Sequence, residues 1–356
     1  MTLLDEPRQI REGEELDELK LDAYLKGLSL GLEGALEVAQ YPGGASNLTY
    51  LLRYPGRHLV LRRPPFGHKA KGAHDMLREA RLMAQLRPVY PYVPHVLAIC
   101  ADSELLGSEF YVMERLVGVI PRRDMPAELA LDEARTRALC LEMLDRLIEL
   151  HRVDYRAAGL AGLGKGEGYV GRQVAGWTDR FARARTADVP DFVRVMDWLR
   201  EHMPPRDVAT CLIHNDYRFD NTVLSVPEAQ AGALRVIGVL DWEMATLGDP
   251  LMDLGGTLAY WVQADDPAWR LDARLQPTHL PGMLKRSEVM DYYASRTGFA
   301  VENFGFYEVF GHFRLAAILQ QIYFRYFHKQ TDNPAFADFG QRVTNLHQEC
   351  LRLMGS

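Results

Sequence analysis

"LIHNDYRFDN", residues 212–221, is the stretch on which the reading of this chain turns. An apolar approach, "CLI", gives way to His214, Asp216, Asp220 and Asn221, four side chains in eight positions that can bind metal or move protons. A solvated loop and a catalytic centre both fit that pattern taken alone. The flanking sequence separates them.

Phosphoryl transfer requires a held acceptor hydroxyl, a neutralised triphosphate and phosphates kept in line. A carboxylate beside the hydroxyl and a carboxamide a few residues on, facing a metal ion, meet two of those needs from one loop. His214-Asn215-Asp216-Tyr217 followed by Asn221 reproduces the His, Asp and Asn intervals of the H-R-D-L-x-x-x-N loop. Further on, "LRVIGVLDWEMATLGDP" is an apolar strand ending in Asp241, where a second magnesium ligand belongs. Upstream, "PGGASNLTYLL" sets Gly43 and Gly44 in a turn between two strands, where backbone amides can approach phosphates without a Cβ in the way. "HLVLRRPP" places Val60 and Arg62 on one strand face. On "HDMLREARLMAQL", Met76, Glu79, Met83 and Leu86 share one helical stripe. A glutamate inside an apolar stripe implies a buried cation partner, because an unpaired buried carboxylate is costly. Arg62 is the candidate, and the alternative is a stripe-edge glutamate reaching solvent.

The rest of the chain supplies a frame for these pieces. Residues 14–28 predict an amphipathic helix with Leu16, Leu19 and Leu28 among its apolar positions. Short strands follow from Leu36 to Arg63, then the helix "MLREARLMAQL", which Pro88, Pro91 and Pro94 end, and the strand "EFYVMERL". Beyond Gly118 and Pro121 helices dominate, at roughly 127–152, 172–184 and 190–202 and in several segments after 251. Two strand-like runs, "ATCLIHND" and "LRVIGVLDW", interrupt them. A small β-rich lobe followed by a larger helical lobe is the predicted organisation. "GLAGLGKGEG", residues 159–168, has the glycine and lysine spacing of a phosphate-binding loop. It places Gly166 where a hydroxyl should stand and lacks a preceding buried strand, so it is read as a flexible loop.

Composition narrows the function classes. The 356 residues carry 41 Lys and Arg against 48 Asp and Glu, a net charge of −7, without the basic stripe of a nucleic-acid binder. Four cysteines, Cys100, Cys140, Cys211 and Cys350, stand far apart and read as reduced thiols of a cytoplasmic protein. No secretory h-region and no membrane-spanning run is visible.

Taken in order, "GGASNLTYLL", "LVLRRPP", "HDMLREARLMAQL", "YVMERLVG", "LHRVDYRAAGLAGLG", "GYVGRQVAGW", "IHNDYRFDN" and "VLDWEMATLGDPLMDL" resemble the aminoglycoside phosphotransferase-like family of small-molecule kinases. The likeness is greatest to the branch associated with acyl-CoA dehydrogenases, and it runs from about Leu36 into the 320s. It implies an α+β, bilobal, protein-kinase-like fold: an N-terminal helical extension over 1–35, an antiparallel β lobe over 36–117 and a mostly helical lobe over 118–356. It implies ATP or GTP with Mg2+ as cofactors, and a small-molecule hydroxyl substrate rather than nucleic acid or membrane, with a homodimer left open.

Roles follow residue by residue. Asp216 would orient or accept the proton of the attacking hydroxyl, Arg218 would touch the γ-phosphate, and Asn221 and Asp241 would ligate magnesium. Gly43, Gly44 and Ser46 would lie along the phosphates, and Arg62 would hold them with Glu79 as its partner. Backbone groups of Glu114 and Leu116, after Met113, would meet the purine edge. His214 would brace the loop, and Asp249 and Asp253 would cap and tie it. Asn215 stands where the family usually has glycine, and Arg62 where kinases have lysine; both depart from the pattern. After Asp241 there is no A-P-E element and no long regulatory segment, which argues against a protein substrate. For the acceptor, the dehydrogenase association implies a hydroxyacyl-CoA-type metabolite. The alternatives are an aminoglycoside or other amino-sugar or amino-alcohol, a nucleotide-binding pseudokinase with a regulatory role, and, on His214 and Asp216, a metal-dependent hydrolase.

Overall fold

A computed structural model describes residues 4–42, 47–65, 75–226, 233–301 and 303–355. Its N-terminal part is built on a five-stranded antiparallel sheet in the order β1-β2-β3-β5-β4. The strands are β1 (Glu37–Gln40), β2 (Leu48–Tyr54), β3 (Arg57–Arg63), β4 (Val96–Cys100) and β5 (Phe110–Glu114). β2 and β3 are apolar on both faces because both faces are covered. Tyr50, Leu52, Leu59, Leu61 and Val112 pack on one side with Leu21 and Leu25 of α1 (Glu18–Gly27). Leu51, Val60, Tyr111 and Met113 pack on the other with Met76, Ala80 and Met83 of α2 (Met76–Leu86).

The first helix is shorter than predicted and turned differently. Asp17 caps it by accepting from the Lys20 amide, so it starts at Glu18. Its buried pair is Leu21 and Leu25, one helical turn apart, while Leu19 is 86% exposed and Leu28 is exposed too. α2 follows its predicted stripe: Asp75 caps it, and Met76, Glu79, Met83 and Leu86 are all buried. A short α3 (Ser103–Leu106) joins β4 to β5.

The remainder is mostly helical. α4 (Glu133–His151), α5 (Tyr169–Ala184) and α6 (Val193–Glu201) precede the catalytic segment, and α7 (Pro250–Ala259), α8 (Ala268–Ala273), α9 (Arg286–Thr297), α10 (Gly305–Phe327) and α11 (Phe339–Leu353) follow it. α4 begins later than predicted, because Ala127–Leu129 form a separate 3-10 turn and Asp132 caps the helix proper. α7 is buried along its whole length, which its composition allows. It crosses α10 where Gly311 meets the backbone of Gly255; a Cβ on Gly311 would sit 2.3 Å from the Gly255 carbonyl oxygen. That close approach seats Asp253 deep under the catalytic segment. Among the described residues no helix is long and apolar enough to cross a membrane.

Two small antiparallel pairs frame the 214–221 segment. β6 (Cys211–Ile213) pairs with β9 (Thr246–Gly248), and β7 (Thr222–Leu224) pairs with β8 (Val236–Val239). The glycine-rich 159–168 segment is a loop whose Gly164 lies against β9; a Cβ there would stand 2.7 Å from Thr246 Oγ1.

Candidate active site

The β7–β8 pairing brings Asn221 and Asp241 together from twenty residues apart. Thr222 faces Val239, so Asn221 just before β7 and Asp241 just after β8 emerge at the same end. The bond from the Leu240 amide to the Asn221 carbonyl, 2.8 Å, continues the pair by one step. Asn221 Nδ2 donates to both the carbonyl and the carboxylate of Asp216, at 2.8 and 2.9 Å. Because its amide nitrogen is spent on Asp216, its carboxamide oxygen is the group left to face a cation. A carboxamide oxygen and a partly exposed carboxylate are the hard oxygen donors that suit magnesium.

The loop around Asp216 is fastened from within the helical lobe. Asp253 accepts from two successive amides, His214 at 2.8 Å and Asn215 at 2.7 Å, and from His151 Nε2 at 3.1 Å. Burial works against charge on Asp253, but the His151 contact and these amides hold its carboxyl below the usual aspartate range. Asn215 has a positive φ of 66°, the left-handed region that asparagine tolerates well. Its carbonyl accepts from Arg314 at 2.8 Å, and its side chain bonds Tyr169 and the Met244 carbonyl, each at 3.0 Å. His214 is fully buried. Its Nε2 donates to the Leu240 carbonyl at 3.0 Å, and its Nδ1 accepts from the Asp216 amide at 3.3 Å. Burial lowers the histidine pKa and keeps the ring neutral. Both ring nitrogens serve the backbone, so His214 braces the loop.

Arg218 is held by the carboxylates of its own loop. Nη1 lies 3.1 Å from Asp216, Nε lies 2.9 Å from Asp220, and the guanidinium stacks 4.5 Å over the Tyr260 ring. Burial works against its charge, but the two carboxylates raise its pKa above the ordinary arginine value. Asp220 therefore holds in place the arginine that flanks Asp216.

On the sheet side, Arg62 Nη1 contacts Glu79 at 2.7 Å and Nη2 contacts Asp241 at 3.4 Å. Burial raises the Glu79 pKa, opposed by Arg62, and Glu79 also accepts from the Trp242 amide at 3.2 Å. Arg62 Nε is buried and has no protein partner among the described residues. A buried donor without a partner costs free energy unless something fills the space before it, as a phosphate oxygen would. Asp241 itself sits at a positive φ of 66°, a strained conformation for a non-glycine residue.

These groups open into one cleft between the sheet and the β7–β8 pair, with an interior of ≈ 210 Å³. Val60, Arg62, Met113, Leu116, Asn221 and Asp241 are among its walls. Leu116 reaches its floor because Gly238 lacks a side chain; a Cβ there would lie 2.2 Å from Leu116 Cδ1. Gly43, Gly44 and Ser46 lie outside the described residues.

The model of the phosphotransferase enzyme family matches residues 37–285. The chain belongs to that family. It is 37% identical over 322 residues to mouse acyl-CoA dehydrogenase family member 10, covering 89% of this chain and 29% of the relative. Chicken acyl-CoA dehydrogenase family member 11 is 32% identical over 356 residues, covering 97% of this chain and 44% of the relative. The chain therefore spans less than half the length of these two curated relatives. A solved structure from Ralstonia eutropha, assigned as an aminoglycoside phosphotransferase, superposes with a TM-score of 0.80 at 30% identity, covering 95% of this chain and 98% of that one. As a member of the family, the chain has the kinase-like fold.

Several residues at the candidate site carried no local sequence signal. Asn47 Nδ2 donates to Glu243 at 2.9 Å, tying the entrance of β2 to the segment after Asp241. Burial, then the neighbouring Asp241 charge, pushes Glu243 up to about 7. Arg78 on α2 donates to the Glu243 and Ala245 carbonyls. Gln276 accepts from the Phe219 amide at 2.9 Å. Each partner lies more than fifty residues away, so only the folded chain reveals the pairing.

Proposed function

We propose that this phosphotransferase transfers the γ-phosphate of ATP or GTP to the hydroxyl of a small molecule, with a hydroxyacyl-CoA-type metabolite as acceptor. The observation that carries the reading is the convergence of Asn221, Asp241 and Arg62 on a single cleft, with the Asp216 carboxylate bonded to Asn221 beside it. Asn221 and Asp241 would hold Mg2+. When bound, that ion neutralises charge on the phosphates. Arg62 would hold the non-transferred phosphates, and the family resemblance assigns Gly43, Gly44 and Ser46 to the phosphates as well. The purine would lie along Met113, Glu114 and Leu116. Asp216 orients the acceptor hydroxyl and takes its proton as the acceptor oxygen bonds to the γ-phosphorus. The bond from the γ-phosphorus to the bridging oxygen breaks, the nucleoside diphosphate leaves, and the proton passes to solvent.

The acceptor class is supported by charge and by kinship. Asp216 and Asp220 are both engaged by Arg218, and Arg314 sits on the adjacent carbonyl with its guanidinium 5.5 Å from the Trp177 ring. Two guanidiniums with Tyr260 and Trp177 suit an anionic molecule with an apolar body better than a polycationic aminoglycoside. The curated relatives named for acyl-CoA dehydrogenases point to the same chemistry.

The test is incubation with Mg-ATP or Mg-GTP and a panel of hydroxyacyl-CoAs, aminoglycosides and amino-alcohols, with mass spectrometry of the products. A phosphate added to the acyl portion of a hydroxyacyl-CoA is the expected result. Transfer confined to aminoglycosides or amino-alcohols would reject the acceptor class, and nucleotide binding without transfer to any acceptor would favour a pseudokinase.

A further inference from the structure

One wall of the nucleotide cleft comes from the far N-terminus. Asp5 lines the cleft together with Arg115 and Arg122, which lie just beyond β5. The strip that carries Asp5 is firmly rooted on the sheet. Arg8 and Gln40 exchange two backbone hydrogen bonds, at 2.7 and 3.0 Å. The buried Gln40 side chain accepts from the Arg11 amide at 2.9 Å, and Tyr50 donates to the Glu14 carbonyl at 2.7 Å. The tip is held far more lightly. Asp5 Oδ2 lies 3.0 Å from Arg122 Nη2, and its carbonyl is 3.5 Å from Arg115 Nη2, at the limit of a hydrogen bond.

The two partners belong to opposite sides of the cleft. Asp5 moves with the sheet through the Arg8–Gln40 pair. Arg122 follows a segment fastened to β7 by two bonds between Val119 and Leu224, each 2.8 Å. The side chains of Asp5 and Arg122 are 35% and 57% exposed, so the pair is screened by water and opens at little cost. A strip with a fixed root and a lightly held tip, closing on a cation across a ligand cleft, has the parts of a clasp.

We propose that Asp5 and Arg122 form a charge clasp over the outer end of the nucleotide cleft, one that controls how fast a nucleoside triphosphate leaves. The inference rests on the reading of this cleft as a nucleotide site. An exposed pair of this kind accounts for roughly a two- to fivefold change in an opening equilibrium. D5A and R122A should each speed dissociation by that factor. The double variant should be no faster than the faster single one, because either substitution alone undoes the same contact. In about 1 M salt, where the Debye length shrinks to about 3 Å, the wild-type rate should approach that of the variants.

The experiment is stopped-flow displacement of a γ-phosphate-labelled fluorescent ATP, bound with Mg2+ to the full chain, by excess ATP. Wild-type dissociation rates in both single variants would overturn the clasp, as would effects that multiply in the double variant. Absence of nucleotide binding by the wild-type protein would overturn the nucleotide reading and the clasp with it. That outcome is distinct from binding with unchanged rates.

Discussion

The two halves of the candidate active site are held by different kinds of bond. On the Asp216 side, the fastening is buried, directed at backbone and drawn from the helical lobe alone: Asp253 on two amides, Arg314 on the Asn215 carbonyl, His214 on the Leu240 carbonyl. On the Asp241 side, contacts run mostly through side chains and two of them cross between the lobes, Arg62 to Asp241 and Asn47 to Glu243, with Glu79 pairing Arg62 from within the sheet lobe. Backbone-directed bonds inside one lobe fix the loop that carries Asp216 whatever the cleft contains. Side-chain bonds between lobes can exchange partners, as Arg62 would in the proposed site when a phosphate and a cation compete for it and for Asp241.

That contrast can be broken experimentally, and the largest expected effect is at Asp216. Asp216→Ala should lower phosphoryl transfer by about a thousandfold, within the range for a lost general base, while nucleotide affinity stays within about threefold. Steady-state kinetics with parallel titration calorimetry checks this. A comparable loss of affinity would show that the two halves are not separately held.

Asp253→Asn comes next. It leaves buried donors facing a weaker acceptor and should cost about 1–3 kcal/mol of stability, measured by denaturant unfolding. The sign of its pH dependence follows from the depressed carboxyl. The contribution is fully present above the ordinary aspartate value of 3.8 and is lost as pH falls through the lower folded value. The gap between wild type and variant should therefore narrow in acid below that point. A gap that stays constant with pH would contradict the charged tie.

Glu79→Gln should have a smaller effect, about a tenfold fall in turnover, since glutamine still accepts from the Trp242 amide but no longer neutralises Arg62. Smallest is Asn47→Ala, expected to change turnover by about two- to threefold, because it removes one hydrogen bond. An Asn47 effect larger than that of Glu79 would place control of the metal side in the β1–β2 turn and not in the arginine pair.

Much of the fold was legible because its signals are local. The strands from Leu36 to Arg63 and the stripe of α2 show the period of their elements, and the Glu79–Arg62 pairing follows from a carboxylate set in an apolar stripe. β4 carried no such signal: Val96–Cys100 is a short apolar run between a proline-rich segment and an acidic turn. α1 misled because Leu19 faces solvent while Leu16 and Leu28 lie outside the helix, and burial there is decided by the sheet that α1 covers. At the site, Asp216, Asn221 and Asp241 could be picked out by spacing, whereas Arg314, Gln276 and Asn47 could not. Their partners are set by the crossing of α7 and α10 and by the approach of the two lobes. The restraint on Arg218 was hidden for another reason: nothing local says that Asp220 turns toward it.

Magnesium-dependent nucleotide binding at Asp241 is the property that tests the proposed site most directly. Titration calorimetry of ATP and GTP into wild type and Asp241→Ala, each with and without magnesium, measures it. The expected result is binding that magnesium strengthens in wild type and that Asp241→Ala weakens to its magnesium-free level. Binding that ignores both the metal and the substitution, or no binding of either nucleotide, would contradict it.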